Sequence, residues 1–187
     1  YLTEYLPHNY DEKTVLLVSK NLVEILKYEY PNVWTNFFDL FYNASKVSDE
    51  ASLCCMQFLA LFTKDVMIDC IDMFSSKTTE VMIGMQNELT RLLPYFNDIL
   101  SHHENTKLSE VTLDAISVLV KWVSPTVVMQ SGLLDKMCES VGNNNDLILP
   151  ILEVFTEFVS SFHKVSKFEQ YVTKLFVLIV DAFSNFS

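Results

Sequence analysis

Tyr30-Pro31-Asn32-Val33-Trp34-Thr35-Asn36-Phe37-Phe38-Asp39-Leu40-Phe41-Tyr42 follows directly on an amphipathic run, Thr14 to Tyr28, and decides the fold. A residue before proline is driven out of the α region, so a first helix ends at the Tyr30-Pro31 step. Pro31 suits the opening turn of a second helix, where its missing N–H has no intrahelical partner to lose. Trp34, Phe37, Phe38 and Phe41 then recur at i, i+3, i+4 and i+7, the spacing of one helical face. That aromatic face is expected to pack back on the first helix, with Trp34 in the core. A hairpin of this kind cannot bury its own apolar surface, which makes it the unit of a stacked α-solenoid.

Composition agrees with an all-α chain. Of 187 residues, half are hydrophobic, enough for a sizeable core, while three glycines and five prolines are too few turn residues for an all-β fold. The net charge of −11 makes the chain a poor stand-alone binder of nucleic acid, whose affinity comes mainly from Lys and Arg, and suits a basic protein partner better. Cys54, Cys55, Cys70 and Cys138 lie in apolar helical stretches without CxxC spacing. They read as buried, reduced thiols, which points to a reducing compartment. No apolar run reaches the roughly 20 residues of a membrane span, and the charged start, with Glu4, Asp11 and Glu12, does not resemble a signal peptide. With no initial Met and helical character up to Phe183, the chain reads as a segment of a longer protein.

The pattern of apolar helices repeats. Four pairs are expected, over residues 14–43, 48–103, 107–141 and 146–185, as one continuous segment 1–187. In the first pair Val15, Leu16, Val18, Leu22, Ile25 and Leu26 form the apolar stripe. Ser48 is an N-cap candidate with Asp49 and Glu50 in the first turn behind it. A short separate helix is expected from Asp65, a loop at Lys77 to Glu80, and a kink or break near Leu93 before Pro94. Ser124-Pro125 reads as a capped helix start, and Gly142 as a C′ cap before Asn143-Asn144-Asn145. First helices start near 14, 49, 108 and 146, and two of the gaps fit the roughly 40-residue period of HEAT-type repeats. The second pair is enlarged. The fold class is therefore an α-solenoid of HEAT-like antiparallel helix pairs.

Catalytic constellations do not emerge. His102-His103-Glu104 places its ligand types on adjacent residues, which point about 100° apart on a helix, and neither His has an i+4 partner. His163 falls in a polar turn. No serine has a Gly-x-Ser-x-Gly setting, and Gly84, Gly132 and Gly142 stand alone rather than in a phosphate loop. Met67, Met73, Met82 and Met85 read as gap-filling residues between helices. Neither a metal site nor a cofactor is indicated, and the reading is of a binding scaffold, not an enzyme.

Glu29-Tyr30-Pro31, Trp34, Phe38 and Asp39-Leu40 resemble the exportin-1-like region of the importin-β superfamily, the nuclear transport receptors. Ser109-Glu110-Val111-Thr112 and the later Leu119 to Val123, with Trp122, look like the next exportin helix. Among exportins the likeness is to the exportin-T type, the tRNA exporter. The resemblance implies part of a superhelical HEAT arch that binds Ran-GTP and a cargo, here tRNA, passes nucleoporins and shuttles between nucleus and cytoplasm. It also implies that second helices line the concave surface. The partner-binding candidates are then Asn36, Asp39, Glu80, Asn87, Glu88, Arg91, Lys136, Glu139, Lys174 and Asp181. One departure stands out: a tRNA surface wants a basic stripe, whereas these helices offer only Arg91, Lys136, Lys167 and Lys174. The competing reading is a HEAT or armadillo-like protein-interaction scaffold outside transport.

Overall fold

The computed structural model describes residues 12–72, 76–102 and 105–161, together with single positions between 169 and 180. Among the described residues the regular structure is helical: α1 (Glu12–Glu29), α2 (Phe37–Ser45), α3 (Asp49–Asp72), α4 (Ser76–Ser101), α5 (Thr106–Leu119), α6 (Pro125–Gln130), α7 (Leu133–Asn143) and α8 (Ile148–Ser161), with a 3₁₀ turn at Asn145–Leu147. The chain divides into two compact units, residues 1–90 and 91–187, the boundary falling inside α4.

In the first unit α1 and α2 both pack on α3. The buried edge of α1 is Ser19, Val23 and Leu26, continued by Tyr30. These fall at i, i+4, i+7 and i+11, one helical stripe. The expected stripe is therefore corrected: Leu16, Val18 and Ile25 are exposed, as is Leu17. Apolar residues lie all round this helix, and its contact with α3 selects which of them are buried. Lys27 Nζ reaches Asp65 Oδ2 at 2.7 Å and Glu24 Oε1 at 3.0 Å, tying α1 to α3.

The elbow between α1 and α2 also departs from expectation. Pro31 does not open a helix; residues 30–36 form a turn, and α2 begins only at Phe37. Glu29 O accepts from both Val33 N at 2.8 Å and Trp34 N at 3.0 Å. This closes a wide turn around a proline that has no N–H of its own to offer. Trp34 is consequently half-buried rather than in the core, edge-on to Phe37 at 5.4 Å between ring centroids. The buried aromatic face is Phe37, Phe38, Phe41 and Tyr42, with Phe37 also 5.5 Å from Phe58 of α3. Aromatic pairs at such separations add to the area they bury.

Ser48 caps α3 as the sequence suggests, its Oγ accepting from Ala51 N at 3.2 Å. Glu50's own backbone N–H, and then the Ser48 hydroxyl, hold its carboxyl below the ordinary range. No Gly or Pro interrupts residues 49–72, and α3 continues past Asp65 to Asp72 as a single helix. Likewise α4 starts at Ser76, four residues before Glu80, and continues through Pro94 to Ser101 instead of ending near Leu93.

The second unit repeats the scheme of the first. Here α5 and α7 pack on α8, and the 3₁₀ turn touches all three. Asn105 caps α5 by accepting from Leu108 N at 3.1 Å. Ser124 stands at the N-cap position of α6, although its side chain makes no cap bond. The helix expected over 125–141 is interrupted at Gly132, whose φ of +74° suits glycine, so that α6 and α7 are separate. Gly142 lies within α7; the chain leaves the helix at Asn144, which is extended (φ −147°, ψ 106°). Asn144 Oδ1 accepts from Asp146 N at 3.0 Å, and its Nδ2 donates to Thr106 Oγ1 at 2.7 Å. Asn97 Nδ2 donates to Ser131 O at 2.8 Å, and Ser140 Oγ donates to Leu100 O at 3.0 Å, fixing α6 and α7 on the end of α4. Most of the helix expected over 168–183 lies outside the described residues; Tyr171 is buried and donates to Asp135 Oδ2 at 3.3 Å. None of the described helices is long and apolar enough to cross a membrane.

Candidate functional site

With their apolar faces packed together, these helices leave exposed polar stripes for recognition. On α2 the exposed line is Asn36, Asp39 and Asn43, at i, i+3 and i+7. Asn36 sits at the N-cap position without a side-chain cap bond and is exposed. On α4, Glu80 and Asn87 fall at i and i+7 and share one face, within the first unit. Asn87 and Arg91 are exposed, Glu80 and Glu88 half-buried.

Between Glu80 and Glu88 the structure places an internal contact that the sequence did not reveal. Gly84 lies four residues from each, and the elbow rests on it. A Cβ built on Gly84 would stand 2.6 Å from Tyr30 Cε1 and 2.9 Å from its Cζ and hydroxyl oxygen. Asn32 Nδ2 donates to Glu80 Oε2 at 2.8 Å. Burial, with the Glu88 charge second, pushes the Tyr30 hydroxyl well above the ordinary phenol range and keeps it protonated. Tyr30, Asn32 and Gly84 are thus the residues that sequence reasoning missed. The available signal was a lone glycine in mid-helix, which marks a close approach when it is not at a helix end.

On α7, Lys136 Nζ meets Glu139 Oε2 at 2.7 Å, so the candidate cation is already engaged by the candidate carboxylate one turn on. Asp135, Glu139 and Asn143 are exposed on the same helix. Lys174 and Asp181 lie outside the described residues. Within the first unit, then, the candidates comprise Asn36 and Asp39 on α2 and Glu80, Asn87 and Glu88 on α4; Arg91, Lys136 and Glu139 belong to the second.

These surfaces are dominated by amides and carboxylates. They can hydrogen-bond to a partner and attract basic groups, but nothing in them supplies an activated nucleophile. Burial, followed by the neighbouring Cys54, pushes the Cys55 thiol up to about 12, and burial, followed by Glu50, raises Cys54. Both shifts favour the protonated thiol at neutral pH and so lower reactivity. Cys138 is buried as a free thiol, and the side chain of Cys70 is outside those described. Among the described residues no three His, Cys, Asp or Glu side chains gather as a metal site would need.

Residues 17–153 match the family described as Exportin 1-like protein. Three similar proteins carry exportin names. Exportin-1 of Schizosaccharomyces pombe is 24% identical over 196 residues, covering 99% of this chain and 18% of that protein. Protein EXPORTIN 1A of Arabidopsis thaliana is 26% identical over 117 residues, 62% of this chain and 11% of the relative. Protein EXPORTIN 1B of the same plant is 26% identical over 115 residues, 61% and 11% respectively. The chain therefore spans less than a fifth of the length of these relatives.

Proposed function

Since this chain belongs to the exportin 1-like family, we propose that it acts as a segment of a nuclear export receptor that binds Ran-GTP and cargo together. The observation that carries this reading is the family match itself, which extends from α1 into α8 and so includes both units. The repeated scheme of packing, α1 and α2 on α3 and then α5 and α7 on α8, supports a solenoid of four helix pairs. In this reading α1 with α2, α3 with α4, α5 with α6 and α7, and α8 with the residues after it are those pairs. The protein is a transport receptor and not an enzyme, contacts nucleoporins, and shuttles between nucleus and cytoplasm.

Cargo is the finer part of the proposal. The tRNA reading rests on the resemblance to exportin-T, whereas the three relatives named above are exportin-1 proteins. Of the cations on the candidate helices, Lys136 is paired with Glu139, and Arg91 is exposed on α4. A tRNA cargo would need several Lys and Arg against its phosphates, so it would be held mainly by other parts of the receptor.

Pull-down of the full-length protein with Ran loaded with GTP or GDP, with and without tRNA, tests both levels. GTP-selective binding strengthened by tRNA supports the whole proposal. GTP-selective binding indifferent to tRNA retains the receptor and removes that cargo. Binding that ignores the nucleotide points instead to a HEAT scaffold outside transport.

A further inference from the structure

We propose that Tyr30 and Gly84 form a register pin: it fixes the α1–α2 elbow against α4 and presets the spacing between Asn36 and Asp39 on one side and Asn87 on the other. The functional half of this inference rests on the reading of those residues as a partner-binding surface. The pin itself stands on geometry. Gly84 lies one turn from Glu80 and one turn from Glu88, and the missing Cβ opens a notch between two carboxylate side chains. The Tyr30 ring occupies that notch, closer to the glycine than any Cβ would allow, at 2.6 Å from the position such an atom would take.

Two further contacts convert a close approach into a fixed register. Asn32, two residues after Tyr30, is hydrogen-bonded to Glu80 on one wall of the notch. On its other side the Tyr30 ring meets Phe37 and Phe38, at centroid separations of 6.3 and 5.5 Å. The first turn of α2 is therefore held by the same side chain that touches α4. Lifting Tyr30 moves the start of α2, and with it Asn36 and Asp39. A surface set in advance by such a contact loses less order on association than one shaped by its partner.

Thermal unfolding of Gly84→Ala, Tyr30→Leu and the double variant decides the pin, with amide exchange at Val33 and Trp34 as the local readout. Gly to Ala in an unobstructed helix raises stability, because alanine is the better helix former. The expected result is a lowered Tm and loss of protection at Val33 and Trp34 for Gly84→Ala alone, with no loss of Tm when the same change is made in the Tyr30→Leu background. A raised Tm in the presence of Tyr30, or equal losses in both backgrounds, overturns the pin. Affinity of Gly84→Ala for GTP-loaded Ran is read separately. Weaker binding with an opened elbow supports the preset surface, and unchanged affinity with an opened elbow overturns it. If the unsubstituted protein does not bind Ran, the receptor reading and the presetting both fall, while the thermal and exchange data still decide the pin.

Discussion

Lys27 Nζ lies 2.7 Å from Asp65 Oδ2, joining α1 to α3 across 38 residues of chain. Lys27 also serves Glu24 on its own helix, and Asp65 is partly open to solvent. Solvent screening keeps such pairs weak, so Asp65→Ala should cost no more than about 1 kcal/mol. Urea unfolding at low and high salt checks this. The difference between wild type and variant should shrink as salt rises.

Two aromatic residues of the opening stretch should respond differently to truncation. Phe37 is 1% exposed and packs on Tyr30, Trp34, Phe38, Phe41 and Phe58. Phe37→Ala should destabilise by about 3–5 kcal/mol, the range for a fully buried phenylalanine. Trp34→Ala should cost less, because the indole is half-buried at the edge of that cluster. Denaturant midpoints of the two variants, compared at constant m, would show the order; an equal loss would place Trp34 in the core after all.

Gly132 requires its backbone and not its space. Nothing lies within 4 Å of a Cβ built there, yet its φ is +74°. Gly132→Ala should therefore cost roughly 1–2 kcal/mol from the left-handed conformation alone. Gly132→Asn should recover part of that loss, since asparagine tolerates this region. Calorimetric Tm values for the two variants test the assignment.

The thiols give a pH dependence with a definite sign. The folded state raises Cys55 from its ordinary 9.0 to about 12, and in the unfolded chain that thiol ionises first. Its contribution to stability is complete below pH 9 and is lost progressively as pH rises from there towards 12. Cys55→Ala should flatten the alkaline limb of the stability profile, at the expense of core packing at all pH values. Under native conditions a thiol reagent should label half-buried Cys54 before buried Cys55.

Arg91 is exposed on α4. Arg91→Glu should leave the fold intact, within about 0.5 kcal/mol as for most surface substitutions, while changing the binding of GTP-loaded Ran. Circular dichroism and the pull-down together test this. Loss of fold comparable to that of Phe37→Ala would contradict a role in recognition.

Much of the architecture was legible because its signals are local. Ser48 with its acidic first turn, the Ser124-Pro125 start and the aromatic repeat from Phe37 are readable without knowledge of any distant residue. The failures share the opposite property. Which side of α1 is buried depends on where α3 lies, since Leu16, Leu17, Val18 and Ile25 are as apolar as Val23 and Leu26. The fate of Pro31 depends on Glu29 O accepting from two N–H groups beyond it, and that of Gly84 on a tyrosine 54 positions earlier. At the candidate site the residue types were legible; the prior engagement of Glu80 by Asn32 and of Lys136 by Glu139 was only half so, because i, i+3 pairing is local and the elbow contact is not.

The side-chain hydrogen bonds named above that join one element to another reach no further than 48 positions along the chain, from Asn32 to Glu80, and as little as 34, from Asn97 to Ser131. Closing loops of that length is entropically modest, and rates of folding rise as contacts become more local. A polypeptide with this contact horizon has no need to wait for its far end. As it emerges from the ribosome, α1 can find α3 once some forty further residues are out, and α5 finds α8 after a similar wait.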